Sequence, residues 1–150
     1  MIILIDTREQ LPLDFNHLYI TETQSKGLKV GDYGCQYVDG YIPPVFFERK
    51  SLGDLFGTMG KGYPRFKRSL LRAKELKFKL ILLVEATLTK VLKGYTHSTM
   101  TGISIVRKLM TLQIKYDMDF QFCKDRGEMS RYITEYYCAL GRLKGKRVES

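Results

Sequence analysis

Two carboxylates and a lysine stand in this sequence at spacings that suit hydrolytic chemistry. Gly31-Asp32-Tyr33 is followed, beyond an Asp39-Gly40 step, by Phe47-Glu48-Arg49-Lys50. Tyr33–Val38 and Val45–Lys50 have the composition of strands, and Asp-Gly between two such runs is a strong hairpin signal. A hairpin centred near Gly40 sets Asp32 opposite Glu48, and opposed side chains on antiparallel strands stand ~5 Å apart at Cβ. Two carboxylates that close repel unless a divalent cation lies between them. Strand side chains alternate, so Glu48 and Lys50 share a face and Arg49 turns away. Such a trio suits phosphodiester hydrolysis: the carboxylates hold a metal, and the lysine orients a water or steadies the phosphate. Pro43-Pro44 interrupts the ladder, and a slip of one residue there would carry Glu48 to the other face.

The elements that must position these residues are legible from periodicity. Ile2–Ile5 is a short apolar run, read as a buried strand ending in Asp6-Thr7-Arg8-Glu9. Strand ends in α/β folds are common places for sites. Tyr19–Thr23 alternates and is expected to be the second strand, with Ser25-Lys26-Gly27 turning the chain toward Asp32. After Lys50, Ser51 can cap a helix that carries Leu52, Leu55, Phe56 and Met59. Gly57, Gly60 and Gly62 loosen the chain beyond it, and Thr58–Tyr63 is read as a mobile, basic-edged loop. Pro64 opens a helix with an apolar stripe of Phe66, Leu70 and Ala73. Leu80–Val84, ending in Glu85, is a central strand. Ala86–Leu92 is a short helix, and Ser98 or Thr99 is a candidate cap for the next.

The helix from about Thr101 to Tyr116 carries two apolar stripes. Ile103, Val106, Met110 and Ile114 form one; Ile105, Leu109, Leu112 and Tyr116 form the other. Asp119–Cys123 is a strand and Glu128–Leu143 a helix with Met129, Tyr132, Ile133, Tyr136, Tyr137 and Leu140 on a wide apolar face. Two such helices suggest either a subunit interface or a thick single-chain core. The order β-β-β-β-α-α-β-α-α-β-α describes an α/β domain with a mixed central sheet flanked by helices.

Composition bounds the function. The 150 residues suffice for one domain with a real core. No apolar run approaches the ~20 residues of a membrane span, and Met1–Ile5 is too short for a signal sequence, so a soluble, cytoplasmic protein is expected. Cys35, Cys123 and Cys138 form no paired metal pattern and are read as buried small hydrophobes. The net charge is +9, of which Lys61–Lys79 contributes +7 and Arg142–Ser150, which includes Glu149, +3. A basic block on a near-neutral body points to a polyanionic partner such as nucleic acid, or to a solvated lysine-rich helix. His17 and His97 are lone histidines and are assigned no role.

Taken together, Asp6-Thr7-Arg8-Glu9, Gly31-Asp32-Tyr33 and Glu48-Arg49-Lys50 with Asp54 resemble the XPF-type nuclease domain, also found in Hef and Mus-type endonucleases, within the PD-(D/E)XK group. All the charged positions of that family's pattern match. The resemblance implies a restriction-endonuclease-like fold and a Mg²⁺- or Mn²⁺-dependent endonuclease acting on branched, flapped or forked DNA in repair, recombination or replication. Asp32 and Glu48 would be metal ligands, and Asp6 a further carboxylate near the metal, direct or through water. Lys50 would be the catalytic lysine, Arg8 would hold a phosphate, and Glu9 and Arg49 would complete the charge network. Asp54 would orient Lys50 or Arg8. The basic residues Arg65, Lys67, Arg68, Arg72 and Lys74 are the expected DNA contacts, and a homodimer is expected. Residues 1–150 are read as a single nuclease domain, with neither a helix-hairpin-helix nor a helicase domain. Two other readings stay open: a non-catalytic DNA-binding or scaffold subunit, and a nuclease acting on single strands or RNA.

Overall fold

The computed structural model describes residues 1–148; Glu149 and Ser150, the end of the basic tail, lie outside the described residues. Six strands form one sheet in the order β2-β1-β3-β4-β5-β6. They are β1 (Ile2–Asp6), β2 (Glu22–Lys26), β3 (Tyr33–Gln36), β4 (Val45–Ser51), β5 (Lys79–Glu85) and β6 (Asp119–Cys123). β1 pairs antiparallel with β3, and β3 with β4, while β2, β5 and β6 join in parallel. The helices are α1 (Leu52–Met59), α2 (Tyr63–Glu75), α3 (Leu88–Lys93), α4 (Gly102–Tyr116) and α5 (Arg126–Leu143). This is the mixed α/β architecture and the element order expected from the sequence. Among the described residues no helix is long and apolar enough to cross a membrane.

Alternation along the central strands builds two cores. Phe46, Leu80, Leu82 and Val84 face one layer, made by α1 to α4; Val45, Phe47, Ile81 and Leu83 face the other, covered by α5. The three cysteines are buried, as expected. α4 buries Ile105, Val106, Leu109 and Leu112, but Ile103, Met110 and Ile114 of its other stripe are exposed. α4 is thus apolar on two sides and covered on one. In α5, Met129, Ile133 and Tyr137 are core residues, while Tyr132, Tyr136 and Leu140 are half-buried.

Several boundaries differ from the sequence reading, each for a physical reason. The second strand is Glu22–Lys26, not Tyr19–Thr23, and all five of its residues are exposed. An open sheet edge needs no apolar face. Tyr19 and Ile20 instead pack against the core beside the chain start, where the Met1 ammonium donates to the Tyr19 carbonyl at 2.8 Å. Thr58 and Met59 complete α1 and Tyr63 opens α2, so the glycine-rich stretch is a three-residue turn, Gly60–Gly62, rather than a six-residue loop. β3 ends at Gln36, and Thr101 rather than Ser98 or Thr99 caps α4, accepting from the Ser104 amide at 3.3 Å.

The β3–β4 register is the expected one. Tyr33 faces Phe47, which sets Asp32 opposite Glu48 without a slip at Pro43-Pro44. Gly31, before Asp32, has φ +74, and a Cβ there would lie 2.9 Å from the Phe47 carbonyl oxygen. Only glycine meets both demands. Gly31→Ala is expected to destabilise by about 2 kcal/mol or more. Gly57→Ala, inside α1 with open space around it, should instead stabilise by about 0.5–1 kcal/mol. Thermal melts of the two variants check the contrast.

Candidate active site

β4 carries charges to both faces of the sheet. Glu48 and Lys50 follow Phe46 onto the α1–α4 side, and Arg49 follows Phe47 to the opposite side. There Arg49 forms a two-pronged ion pair with Glu9, Nη2 to Oε1 at 3.0 Å and Nε to Oε2 at 3.3 Å. The Tyr33 hydroxyl donates to Glu9 Oε2 and accepts from the Leu13 amide. Burial raises the Glu9 pKa, but Arg49, the Leu11 amide and Tyr33 outweigh it and hold the carboxylate below its ordinary value. Glu9, Arg49 and Tyr33 thus form one hydrogen-bonded group behind the sheet, on the face away from Glu48 and Lys50.

On the front face a cleft of about 570 Å³ opens between the sheet and α2. Its floor holds Asp32, Glu48 and Lys50, with Asp6, Arg8 and Lys29 at one side. Asp32 Oδ2 accepts from the Arg49 backbone amide at 2.8 Å, and the Asp32 amide donates to the Phe47 carbonyl at 2.7 Å, so backbone and side chain are both tied to β4. Burial pushes the Asp32 carboxyl up to about 6, with the neighbouring Glu48 charge adding to the rise. Burial raises Glu48 as well, against the pull of Lys50. The Glu48 side chain is 20% exposed, yet its Oε2 is sealed and has no hydrogen-bond partner. Lys50 Nζ stands 3.7 Å from that oxygen, beyond hydrogen-bond reach.

A sealed carboxylate oxygen with no donor, beside a second buried carboxylate, is the arrangement a cation relieves. Mg²⁺ and Mn²⁺ fit: they take oxygen ligands, and Mg²⁺ keeps several waters while needing only one or two carboxylates plus substrate phosphate. Among the described residues no three His, Cys, Asp or Glu side chains gather into a metal-holding group. Asp6 lines the cleft, but both its oxygens are engaged. Oδ2 accepts from Arg8 Nε at 2.8 Å, and Oδ1 accepts from the Leu28 amide at 2.8 Å. Burial raises its pKa, and those bonds outweigh burial to hold it low. Oδ1 accepts a single bond and keeps a second lone pair, so these bonds are compatible with contact to a cation directly or through water. Arg8, tethered to Asp6 and to the Leu28 carbonyl, holds its guanidinium at the rim.

The structure separates other residues that the sequence groups together. Asp54 makes no ion pair with Lys50 or Arg8. It is exposed and completes the capping box of α1, with Ser51 Oγ accepting from the Asp54 amide at 3.1 Å. Of the basic block, Arg65 and Arg72 line the cleft, with Ser69 between them; steps of four and then three residues put all three on one helix face. Lys67 lies over the Tyr63 ring instead, Lys74 lines a second cavity of about 290 Å³ with Lys77 and Lys79, and Arg68 is exposed outside the cleft lining. Lys29, Thr58 and Ser69 also line the cleft, and nothing in the sequence singles them out, because a single polar residue in a loop or helix carries no pattern.

The raised Asp32 pKa has a consequence for stability. In the unfolded chain this carboxyl ionises near its ordinary 3.8, in the fold near 6. Below both values it is neutral in either state and costs nothing. As pH rises through that window the unfolded state releases its proton first, so folding stability falls and stays lowered above about pH 6. Asp32→Asn should therefore melt near wild type at pH 4 and above it at pH 7.5 in chelator. Mg²⁺ should raise the wild-type midpoint and leave the Asn variant unmoved. Scanning fluorimetry with and without Mg²⁺ checks both.

Residues 5–136 match the ERCC4 domain model. Among solved structures the chain is similar to XPF from Aeropyrum pernix, at 21% identity and TM-score 0.67, covering 94% of this chain and 65% of that one. It is also similar to XPF from Aeropyrum pernix in complex with DNA, at 21% identity and TM-score 0.70, covering 96% and 64%. It therefore spans less than two thirds of those chains. No curated protein matches. The six-stranded mixed sheet and its helices are the restriction-endonuclease-like fold of those structures. With the family model running from the end of β1 into α5, the chain belongs to the ERCC4 domain family.

Proposed function

We propose that this chain is a Mg²⁺- or Mn²⁺-dependent DNA endonuclease. The observation that carries the reading is the sealed Glu48 Oε2, which has no hydrogen-bond partner and meets only the Lys50 ammonium at 3.7 Å, beside Asp32 in one open cleft. Asp32 and Glu48 would hold the cation. When bound, it supplies a water of lowered pKa and positive charge against a phosphate oxygen. Lys50, on the strand face of Glu48, orients the water or adds positive charge where the transition state gains negative charge. Arg8 steadies a phosphate from the rim, fixed by Asp6. Glu9 and Arg49 keep β4 in place from the other face.

An acidic floor between basic walls suits a polyanion whose scissile phosphate meets a cation while its neighbours meet arginines. Arg65 and Arg72 form one wall, and Arg8 and Lys29 the other. The aromatic among the lining residues, Phe66, is buried, so the cleft offers bases no exposed ring to stack on. That favours a duplex or branched DNA backbone over single strands. One of the similar solved structures is XPF in complex with DNA, which supports DNA over RNA. Branched, flapped or forked DNA in repair, recombination or replication is the substrate class that the family membership supports. The intact Asp32, Glu48 and Lys50 speak against a purely scaffolding role, since simple binding needs none of them.

We also propose a homodimer through the β6 edge. Ile103, Met110 and Ile114 of α4 are exposed apolar residues. Half-buried Phe120 and Phe122 lie on β6, and half-buried Tyr132 and Tyr136 on α5, which packs against β6. Ile133, a core residue with 0% exposure, takes no part.

Lys50→Ala should retain Mg²⁺-dependent thermal stabilisation yet lose cleavage of labelled flap and fork DNA by at least about 100-fold. Lys50→Arg should not restore it, because a guanidinium is larger and planar. Wild-type-like cleavage by purified Lys50→Ala would remove the lysine from the site. Neutralising Arg65 and Arg72 together should flatten the log–log salt dependence of duplex binding by roughly 0.9 for each phosphate that no longer meets a cation; an unchanged slope would place DNA elsewhere. Ile114→Glu, at a residue 85% exposed, should convert a dimer to soluble monomer by light scattering. A monomeric wild type at micromolar concentration would end the dimer proposal.

A further inference from the structure

The helix-side wall of the cleft hangs on a turn that its own residues secure by backbone bonds alone: the Gly60 amide donates to the Phe56 and Gly57 carbonyls, the Gly62 amide to the Gly57 carbonyl and the Tyr63 amide to the Gly60 carbonyl. α1 ends at Met59 with no basic residue in its last turn to answer the carbonyls exposed there. α2 begins after Gly62, which offers no side-chain cap. Between them lie only Gly60, Lys61 and Gly62. Thr58, Gly62 and Arg65, which flank this junction, all line the cleft. A charge from elsewhere in the fold answers the α1 end: Lys108 of α4, half-buried, donates from Nζ to the Met59 carbonyl at 2.7 Å. The same ammonium lies 4.5 Å from the centre of the Tyr63 ring, the first residue of α2. One cation thus binds the last residue of α1 and the first of α2. Lys67 Nζ also lies over that ring, at 4.8 Å, and adds a tie within α2.

We propose that Lys108 is a positioning residue for DNA: by clamping Met59 to Tyr63 it sets the entry angle of α2 and holds Arg65 over the cleft. The proposal rests on the reading that Arg65 meets backbone phosphate. A carbonyl oxygen and a ring face together suit an ammonium on a flexible stem, and a partly desolvated cation gains most from both. Lys108 does not line the cleft, so it acts on DNA through the wall and not by touching it.

The test is a double-mutant cycle on binding, which separates action through Arg65 from any independent effect. A fluorescein-labelled flap duplex is titrated in EDTA, so that cleavage plays no part, with wild type, Lys108→Met, Arg65→Ala and the double variant of the full chain. Lys108→Met is expected to weaken binding roughly threefold in the wild-type background and not at all in the Arg65→Ala background. Lys108→Arg, which still offers a donor and a cation, should restore at least half of the loss. Should Lys108→Met fail to fold, Tyr63→Leu removes the ring while sparing the carbonyl bond, and should show the same dependence on Arg65. Equal loss in both backgrounds, or no loss in either while Arg65→Ala alone weakens binding, overturns the positioning role. If Arg65→Ala leaves affinity unchanged, α2 does not face DNA and the proposal falls with that reading.

Discussion

The hydrogen bond from the Asp32 amide to the Phe47 carbonyl, 2.7 Å long, is the interaction on which the candidate site depends. It fixes β3 against β4, and with that register every side chain of β4 acquires its face. A slip of one residue would exchange Glu48 and Lys50 for Phe47 and Arg49, placing an aromatic ring in the cleft and two charges in the α5 core. Gly31 is the steric condition for this bond, because nothing larger fits between its α-carbon and the same carbonyl.

The same register distributes electrostatic strain unevenly along one strand. Arg49 meets a matched partner in Glu9, both nearly enclosed, and the pair is satisfied by geometry and by a tyrosine. Glu48, one residue earlier, is nearly as enclosed but lacks any hydrogen-bond donor at Oε2. The fold thus completes the polar geometry behind the sheet and leaves Glu48, on the front, incomplete. Lys50 forms an ion pair with Glu48 at 3.7 Å, which moderates its charge, but stands too far to give it a hydrogen bond. The basic walls are held by others in turn: Arg8 by Asp6 and the Leu28 carbonyl, the α2 wall by the turn beneath it.

The sequence makes the central features legible because they are periodic or sterically constrained. An Asp-Gly turn and the two-residue alternation of a strand suffice to place Asp32, Glu48 and Lys50 together. The α1 cap, an α2 start at Pro64, one residue late, and strands β5 and β6 are readable from capping residues, proline and apolar runs. The features that escape depend on tertiary placement. β2 carries no apolar signal because it lies at an open edge, so the alternation of Tyr19–Thr23 draws the strand too early. Asp54 has the spacing of a charge partner, but three residues after Ser51 it also completes a capping box, and the local bond wins. A run of lysines and arginines on a helix cannot say which point into a cleft, and only Arg65 and Arg72 do. Ile133 and Tyr136 share an apolar stripe, yet the width of α5 buries one fully and the other by half.

The two ends of the sheet are finished differently. β2 offers Glu22, Thr23, Gln24, Ser25 and Lys26, all exposed, with a charge at either end. Such an edge gives an incoming strand little apolar surface to bury and is a poor template for further pairing. β6 closes the other end with Phe120 and Phe122. A molecule with two receptive edges can add copies without limit, head to tail, into a fibre. In the proposed dimer through the β6 edge, β2 is the edge that remains, and its polar sequence would set a ceiling on further addition of copies through the sheet.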